Sequence, residues 1–378
     1  MDGLAFSFLH TGDWQIGRTF ARFPGDVGGA LRDARLDAID RIGGAADRAG
    51  VRHVLVAGDI YETDAVAERT LRQPLEIMQR YRGLVWHLLA GNHDPARTGG
   101  VWQRVTAIGA PENVRLYLTP GTHELAAGVA LLVAPLKNKI TSSDPTVWMD
   151  EAATGDGVIR IGLAHGATER FGSEGTAAVP ISGRRAERAG LDYMALGDDH
   201  GTKRVNERTW YAGTPEPDGW KDNDPGNALI VRLDGPGAVP AVEKVATATF
   251  RWLERDLEIS GPGVLAELDA LIAAQKARPR DILLRVGLRG TVAPFALSEI
   301  NAALQRLSAR LRHLECSREA LLAGAGDGDL ERLAGAGELS KVAARLARIC
   351  DEADGPDRAA AGRALALLFA YAGREDAT

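Results

Sequence analysis

Cysteine is nearly absent: Cys316 and Cys350 are the only two in the 378-residue chain. Two cysteines without metal-ligand spacing exclude a disulfide framework and a thiolate metal site, and they fit a reducing cytoplasm better than secretion. No stretch approaches the roughly 20 apolar residues that a bilayer-spanning helix needs. The opening MDGLAFSFLHTGDW lacks the basic start and the apolar length of a signal peptide. Internal repeats and low-complexity tracts are missing too. These absences set the expectation of a soluble, cytoplasmic protein with no membrane partner. What is present is ordinary globular composition, 45% hydrophobic and 25% charged. The chain is longer than one core usually serves, so two or three structural units are expected.

An excess of positive charge is also lacking, and the formal net charge of −6 counts against a nucleic-acid partner. The average hides a local asymmetry. Between Lys276 and Arg312 stand Lys276, Arg278, Arg280, Arg285, Arg289, Arg306, Arg310 and Arg312, opposed within that window by Asp281 and Glu299. A basic patch on an acidic protein can contact a phosphate backbone, with Arg278, Arg280 and Arg285 as candidate substrate-binding residues. A merely solvated surface is an equal reading.

Over the first 235 residues one pattern recurs, a short apolar strand ending in a polar turn that contains glycine. Ala5–His10 leads into TGDWQIG, His53–Ala57 into GDIYE, Leu84–Ala90 into GNHDP, Ile159–Ala164 into HGA and Tyr193–Leu196 into GDDHG. Leu36, Ile39, Ile42 and Ala46 predict an amphipathic helix between the first two. Strands alternating with helices imply an α/β fold with functional groups on strand-end loops. LDGPGAVPA (233–241) reads as a boundary. Beyond it the spacing predicts strand, helix, strand and helix over 250–314, the last helix carrying Leu297, Ile300, Leu304, Leu307, Leu311 and Leu314 on one stripe. A flexible LLAGAGDGD (321–329) precedes C-terminal helices, in which Leu339, Val342, Leu346 and Ile349 form a further stripe. The expected domains are therefore a core at 1–240, a small α/β cap at 241–318 and a helical region at 319–378.

Taken together, the five turns hold Asp13 and Gln15, Asp59, Asn92 with His93 and Asp94, His165, and Asp198 with His200. Oxygen ligands suit Mg²⁺ or Mn²⁺ and imidazole suits transition metals, so this is an inventory for two divalent cations. Two such ions can drive phosphodiester hydrolysis. One strand-end Asp alone would be as easily a helix cap or a turn residue; GNHD between an apolar strand and a proline is more specific. His10, at the end of the first strand, reads as a packing residue or as support behind the ligands, whereas His53, His87, His123 and His313 have no motif around them and read as structural or surface residues. Trp14 and Tyr61, beside ligand positions, read as packing on the sheet ahead of contact with a base or sugar. Tyr211, Gly213 and Thr214, in WYAGTP, read either as a tight turn or as groove lining.

In order and content, these turns resemble the calcineurin-like metallophosphoesterase superfamily. LHTGDWQIGR, VAGDIYE, LAGNHDP, ALGDDHGTKR and WYAGTPEP are similar to its SbcD-type branch of DNA double-strand-break-repair exonucleases. The resemblance covers about residues 5–232 and implies a four-layer sandwich, two central sheets flanked by helices, with a small α/β cap and C-terminal helices. It further implies that Asp59 bridges two cations. Asp13 and His200 would hold one of them beside position 15, and Asn92 and His165 the other beside position 198. His93 becomes the general acid for the leaving oxygen and Asp94 its orienting partner. The implied partners are DNA and an SbcC-type coiled-coil ATPase docking on the C-terminal region, for which the 339–349 stripe is a candidate face; a homodimer is left open.

Two positions depart from that family's pattern, Gln15 and Asp198 each standing where it has histidine. Oxygen in place of nitrogen makes the ligand set harder and more negative, which favours Mn²⁺, with Mg²⁺ next, over zinc. The expected function is a divalent-metal-dependent DNA nuclease. A cyclic or small-nucleotide phosphodiesterase and a non-catalytic scaffold with a degenerate metal site stand as alternatives.

Overall fold

The computed structural model describes residues 4–168, 178–259, 264–292, 294–323 and 337–375. It divides into two compact units, Met1–Phe250 and Arg251–Thr378. In the first unit one six-stranded sheet runs in the order β14 (Ala241–Ala246), β13 (Asn227–Leu233), β1 (Phe6–Thr11), β2 (His53–Val56), β3 (Val85–Leu89) and β4 (Val114–Tyr117). The second runs β11 (Lys203–Arg204), β12 (Thr209–Tyr211), β10 (Tyr193–Gly197), β7 (Ile159–His165), β6 (Val129–Ala134) and β5 (Gly121–Ala126). Strands β8 (Ala167–Thr168) and β9 (Pro180–Ile181) form a small parallel pair.

Why two sheets stack is visible in β2, whose four residues HVLV are all buried. Successive strand side chains point to opposite faces, so a strand buried along its whole length must be covered on both. Val54 and Val56 pack with Ile39, Ile42 and Ala46 of α1 (Val27–Ala49) and with α2 (Glu68–Arg80) and α3 (Val101–Ile108). Leu55 and Ala57 face the other way and join Leu131, Leu163 and Ala195 of the second sheet. The outer face of that sheet is covered more thinly, by residues 147–150 and α4 (Arg185–Arg188). Two multi-strand sheets flanked by helices make the expected four-layer α/β arrangement. Fully burying each such Leu or Ile contributes about 1.5–3 kcal/mol, which gives the strand-end turns a rigid platform.

The division between units falls after Phe250 rather than at 240. Ala241–Ala246 pairs antiparallel along β13, so it belongs to the core sheet. In the second unit β15 (Arg251–Ile259), β16 (Ile282–Val292) and β17 (His313–Ala323) form a parallel sheet, with α5 (Val264–Ala274) and α6 (Pro294–Ser308) as crossovers. Here the expected single helix to Leu314 is corrected. The α6 helix stops at Ser308, Arg310 and Leu311 donate back to the Leu307 carbonyl, and Leu314 lies in β17 against Leu284. The cap sheet thus extends past 318. Of the glycine-rich stretch 321–329, residues 324–329 lie outside the described residues. On α7 (Glu338–Glu352) the buried face is Ala343, Ala347 and Cys350, packed by α8 (Gly355–Glu375). Of the expected stripe Leu339, Leu346 and Ile349 are half-buried and Val342 is exposed. Among the described residues no helix is long and apolar enough to cross a membrane.

Candidate metal centre

All five sequence turns bear on one place in the first unit. Asp13 and Gln15 follow β1, Asp59 follows β2, Asn92 follows β3, His165 ends β7 and Asp198 follows β10. Asp13, Gln15, Asp59 and Asp198 have φ of 53°, 51°, 53° and 106°, in the left-handed region that L-residues avoid. Such positions cost of order 1–3 kcal/mol each and persist only where the surroundings impose them. Here the loops are latched together: Asp13 N–H donates to Gly58 O at 3.1 Å and Gln15 N–H to Asp59 O at 2.9 Å. Gly91 permits the closest approach, since a Cβ there would lie 2.2 Å from Asp59 Oδ1. Gly58 does the same for His165, whose Nδ1 would meet a Cβ at 2.4 Å.

Ligand atoms of Asp13, Asp59 and His165 lie within 4.8 Å of one another, all buried. His165 Nδ1 is 2.8 Å from the Ala57 carbonyl, an acceptor only, so Nδ1 carries the proton and Nε2 is turned to the site. Around Nε2 stand Asn92 Oδ1 at 3.3 Å, Asp59 Oδ1 at 3.5 Å and Asp198 Oδ1 at 3.7 Å. Asn92 Nδ2 is itself 3.4 Å from Asp198 Oδ1, and the Asp198 N–H donates to Asp13 at 3.1 Å. Gln15 Nε2 donates to Asp59 Oδ2 at 2.8 Å, while its Oε1 is buried without a partner.

The charge balance asks for a cation. Burial pushes Asp13 up to about 7, against the pull of His165 and His200, and raises Asp198 as well. Burial alone would lower His165, but Asp59, Asp13 and Asp198 outweigh it and lift the imidazole to about 9. Three carboxylates converging on one imidazole, with an orphaned amide oxygen beside them, form an oxygen-rich donor set that fits hard divalent ions. A cation bound there must displace the proton that otherwise rests on His165.

One expected role comes out differently. Asp94 does not touch His93: its carboxylate accepts from Gly91 N–H at 2.7 Å and Tyr61 N–H at 3.0 Å, tying the GNHD turn to the GDIYE turn. His93 is held instead by the Glu62 carbonyl, 3.1 Å from Nδ1, which leaves Nε2 as its available atom. His200 lies outside the compact triad. Its ring is 31% exposed and Nδ1 pairs with Asp218 at 3.0 Å, a partner that lifts it to about 9 although burial works the other way. A carboxylate on the far nitrogen is the arrangement that orients a metal-ligating imidazole.

Other residues at the site have no motif of their own. Asp218 also takes Arg18 at 2.8 Å, so one carboxylate links the last turn to the first. Arg35 on α1, 2% exposed, donates to the carbonyls of Trp14 at 2.7 Å and Asp13 at 3.2 Å and to Thr214 Oγ1 at 3.1 Å. A lone arginine between Leu31 and Ile39 on a buried stripe is the signal that marks it. Trp14 and Tyr61 are packed in the core, Tyr211 donates to Gly166 O at 2.8 Å and His10 bonds Tyr193 and the Leu196 carbonyl. Four of the candidate cap cations are ion-paired, while Arg280 is exposed. Arg278 pairs with Asp281, Arg285 with Glu254 and Glu315, Arg289 with Asp256 and Arg310 with Asp269.

The profile of the Calcineurin-like phosphoesterase (Metallophos) family matches residues 6–202, more than half of the chain. The chain belongs to the calcineurin-like phosphoesterases. That match spans all five turns, and the chemistry of this family is metal-dependent phosphoester hydrolysis. No curated protein sequence matches the chain. Among solved structures, protein TT1561 of Thermus thermophilus is similar at 13% identity and TM-score 0.39, covering 65% of this chain and 100% of its own. The purple acid phosphatase PPD1 from yellow lupin seeds is similar at 12% identity and TM-score 0.42, covering 65% and 52% respectively. For this phosphoesterase the SbcD-type likeness rests on sequence motifs alone.

Proposed function

We propose that this phosphoesterase is a divalent-metal-dependent nuclease that hydrolyses DNA phosphodiester bonds. The observation that carries the reading is the convergence of Asn92, Asp59 and Asp198 within 3.7 Å of His165 Nε2, beside Asp13 and the unpartnered Gln15 oxygen. These residues would hold divalent cations, Mn²⁺ preferred for their oxygen content. Bound there, the cations supply Lewis-acid chemistry for attack of water on phosphorus.

The rest falls to the chain's own groups. His93, its Nδ1 fixed by the Glu62 carbonyl, presents Nε2 to protonate the leaving oxygen. Asp94 keeps the turn that carries it closed onto Tyr61. Asn92 and His93 border an open cleft of about 720 Å³ whose other lining includes Arg18, Arg22, Arg97 and Lys139. Cations beside the reacting groups support a substrate whose phosphates continue beyond the scissile one. Arg18 and Arg97 are themselves paired with Asp218 and Asp64, as Arg278 and Arg285 are paired in the cap, so cleft and cap are both candidates for backbone contact.

The test compares substrates on the Mn²⁺-loaded full chain: bis-nitrophenyl phosphate, linear DNA and cyclic nucleotides. Hydrolysis of the small diester and of DNA, with cyclic nucleotides poor, is the expected result. Cyclic nucleotides cleaved in preference to DNA would move the assignment to a small-nucleotide phosphodiesterase, and no turnover of any diester would leave a scaffold.

A further inference from the structure

Away from the metal-bearing turns, the same strands carry a second group of ionisable side chains that hydrolysis does not use. His53 opens β2, whereas Asp59 follows its end. Its Nδ1 lies 3.0 Å from His87 Nε2, and His87 Nδ1 lies 2.8 Å from the Tyr117 hydroxyl. His123, on β5 of the other sheet, sets its ring 4.7 Å from that of Tyr117. With Arg52 and Arg115 these side chains line an open pocket of about 770 Å³.

Charge there is unbalanced in the opposite sense to the metal centre. Among the described residues Glu124 is the sole carboxylate lining the pocket, and it is exposed. Arg115 bonds the backbone carbonyls of Glu112 and Val114 rather than an acid. Burial lowers both imidazoles and cationic neighbours add to it: Arg52 acts on His53, while His53, Arg115 and His123 help bring His87 to about 3. On a protein with a formal charge of −6, Arg52 and Arg115 outnumber Glu124 around this opening, and the three lowered histidines add neutral hydrogen-bonding rings rather than charge.

We propose that this pocket binds a small oxyanion of the phosphate type. Guanidinium groups match tetrahedral oxyanions with paired donors, and Arg52 and Arg115 supply two of them. The His53–His87–Tyr117 chain supplies a directed donor. When the Tyr117 hydroxyl donates to His87 Nδ1 and His87 Nε2–H donates to His53 Nδ1, the proton of His53 lies on Nε2, as the donor the chain has not consumed. The opposite direction of the chain puts a lone pair there, so an anion selects the first. Divalent cations are disfavoured, because among the described residues no second carboxylate lines the pocket.

The test uses the full chain stripped of metal by a chelator, so that the catalytic turns hold no cation to attract an anion. Inorganic phosphate and a nucleoside 5′-monophosphate are titrated separately by calorimetry. Saturable binding is expected, weakened at least about tenfold by Arg52→Gln with Arg115→Gln, the loss expected for charged hydrogen bonds. Equal binding of both ligands assigns the pocket to the phosphate group alone; tighter nucleotide binding extends it to the attached nucleoside, and both results support the site. In the unsubstituted protein, imidazole NMR signals of His53 and His123 should shift on phosphate addition while those of His165 stay in place, a readout that does not depend on the variant folding. Absence of saturable binding by either ligand, binding indifferent to the double substitution, or unmoved His53 signals overturns the proposal.

Discussion

At one end of β2 and β3, His165 sits among Asp13, Asp59 and Asp198 and is lifted to about 9, while away from that end His53 and His87 sit beside Arg52 and Arg115 and are pushed down. Burial acts on all three imidazoles in the same direction, lowering them; the neighbours decide the outcome. The carboxylate-rich end therefore calls for cations and the arginine-rich end does not. Each end is assembled by the same strands, because a strand buried on both faces fixes what precedes and follows it equally well.

Removing Asp59 should break the cation end most completely. Its carboxylate faces His165, receives the His93 N–H at 2.9 Å and the Gln15 amide at 2.8 Å. Asp59→Asn should cost at least the roughly 10²–10³-fold that losing one preorganised charge-stabilising group costs, with metal content falling in parallel. Near-normal turnover with full metal content would place the cations elsewhere.

His93→Ala comes next and should separate binding from chemistry. Turnover of DNA should fall by about 10²–10⁴-fold, the range for loss of a general acid, while metal stays bound. A nitrophenyl diester, whose leaving group needs little protonation, should suffer less. Equal losses on both substrates, or a lost metal, would rule out the assigned role.

A smaller effect is expected at the edge of the cation end. Asp218→Asn removes the carboxylate on His200 Nδ1 and should weaken metal affinity by about 10–100-fold, as losses of such orienting partners do. His165→Asn should do more than His200→Asn, since His165 belongs to the buried triad. Equal sensitivity of the two, read by metal titration, would erase the distinction between buried and rim ligands.

Much of the cation end was legible because it is local. Each ligand turn reads as an apolar strand followed by Gly with Asp, Asn or His, and the α1 stripe from Leu36 to Ala46 reads at helical spacing. What was not legible depends on long-range pairing. Asp218 reaches His200 and Arg18 from a Pro/Gly turn with no pattern of its own. Asp94 looked like the partner of its neighbour His93, yet loop closure uses both its oxygens on Gly91 and Tyr61. The basic window at 276–312 looked uncompensated because Glu254, Asp256 and Glu315 come from strands outside it. Leu314 kept the three-and-four spacing of α6 while lying in β17, where Leu314 and Cys316 pack on the same core as the helix.

The mildest expected effect concerns acid stability. His10 is also buried and neutral, pushed to about 3 against a weaker pull from the Leu196 carbonyl, and His87 falls to about 3 as well. The unfolded chain takes up these protons near pH 6.5 and the folded chain does not. The contribution of these two rings is therefore complete above about 6.5 and declines as pH falls toward 3, by about 1.4 kcal/mol per unit for each histidine. Asp13 and Glu216, raised to about 7, hold protons that the unfolded chain releases and offset this loss between pH 7 and 5. The readout is therefore a difference: in urea melts of the metal-free chain, His87→Gln should lose less stability than wild type over that range, by up to about 1.4 kcal/mol per unit. Wild type and His87→Gln changing in parallel would mean that the His87 ring accepts protons while folded.

The most direct test of a hard-cation site built from these turns is a metal titration into the chelated chain, with diester hydrolysis followed alongside. Wild type should be inert without metal, bind and respond best to Mn²⁺, respond to Mg²⁺, and respond poorly to Zn²⁺; Gln15→His with Asp198→His should raise zinc affinity. Tight binding of zinc by the wild type, unchanged in the double variant, would contradict the ligand roles of Gln15 and Asp198. Hydrolysis that persists in full under chelation would contradict the metal centre itself.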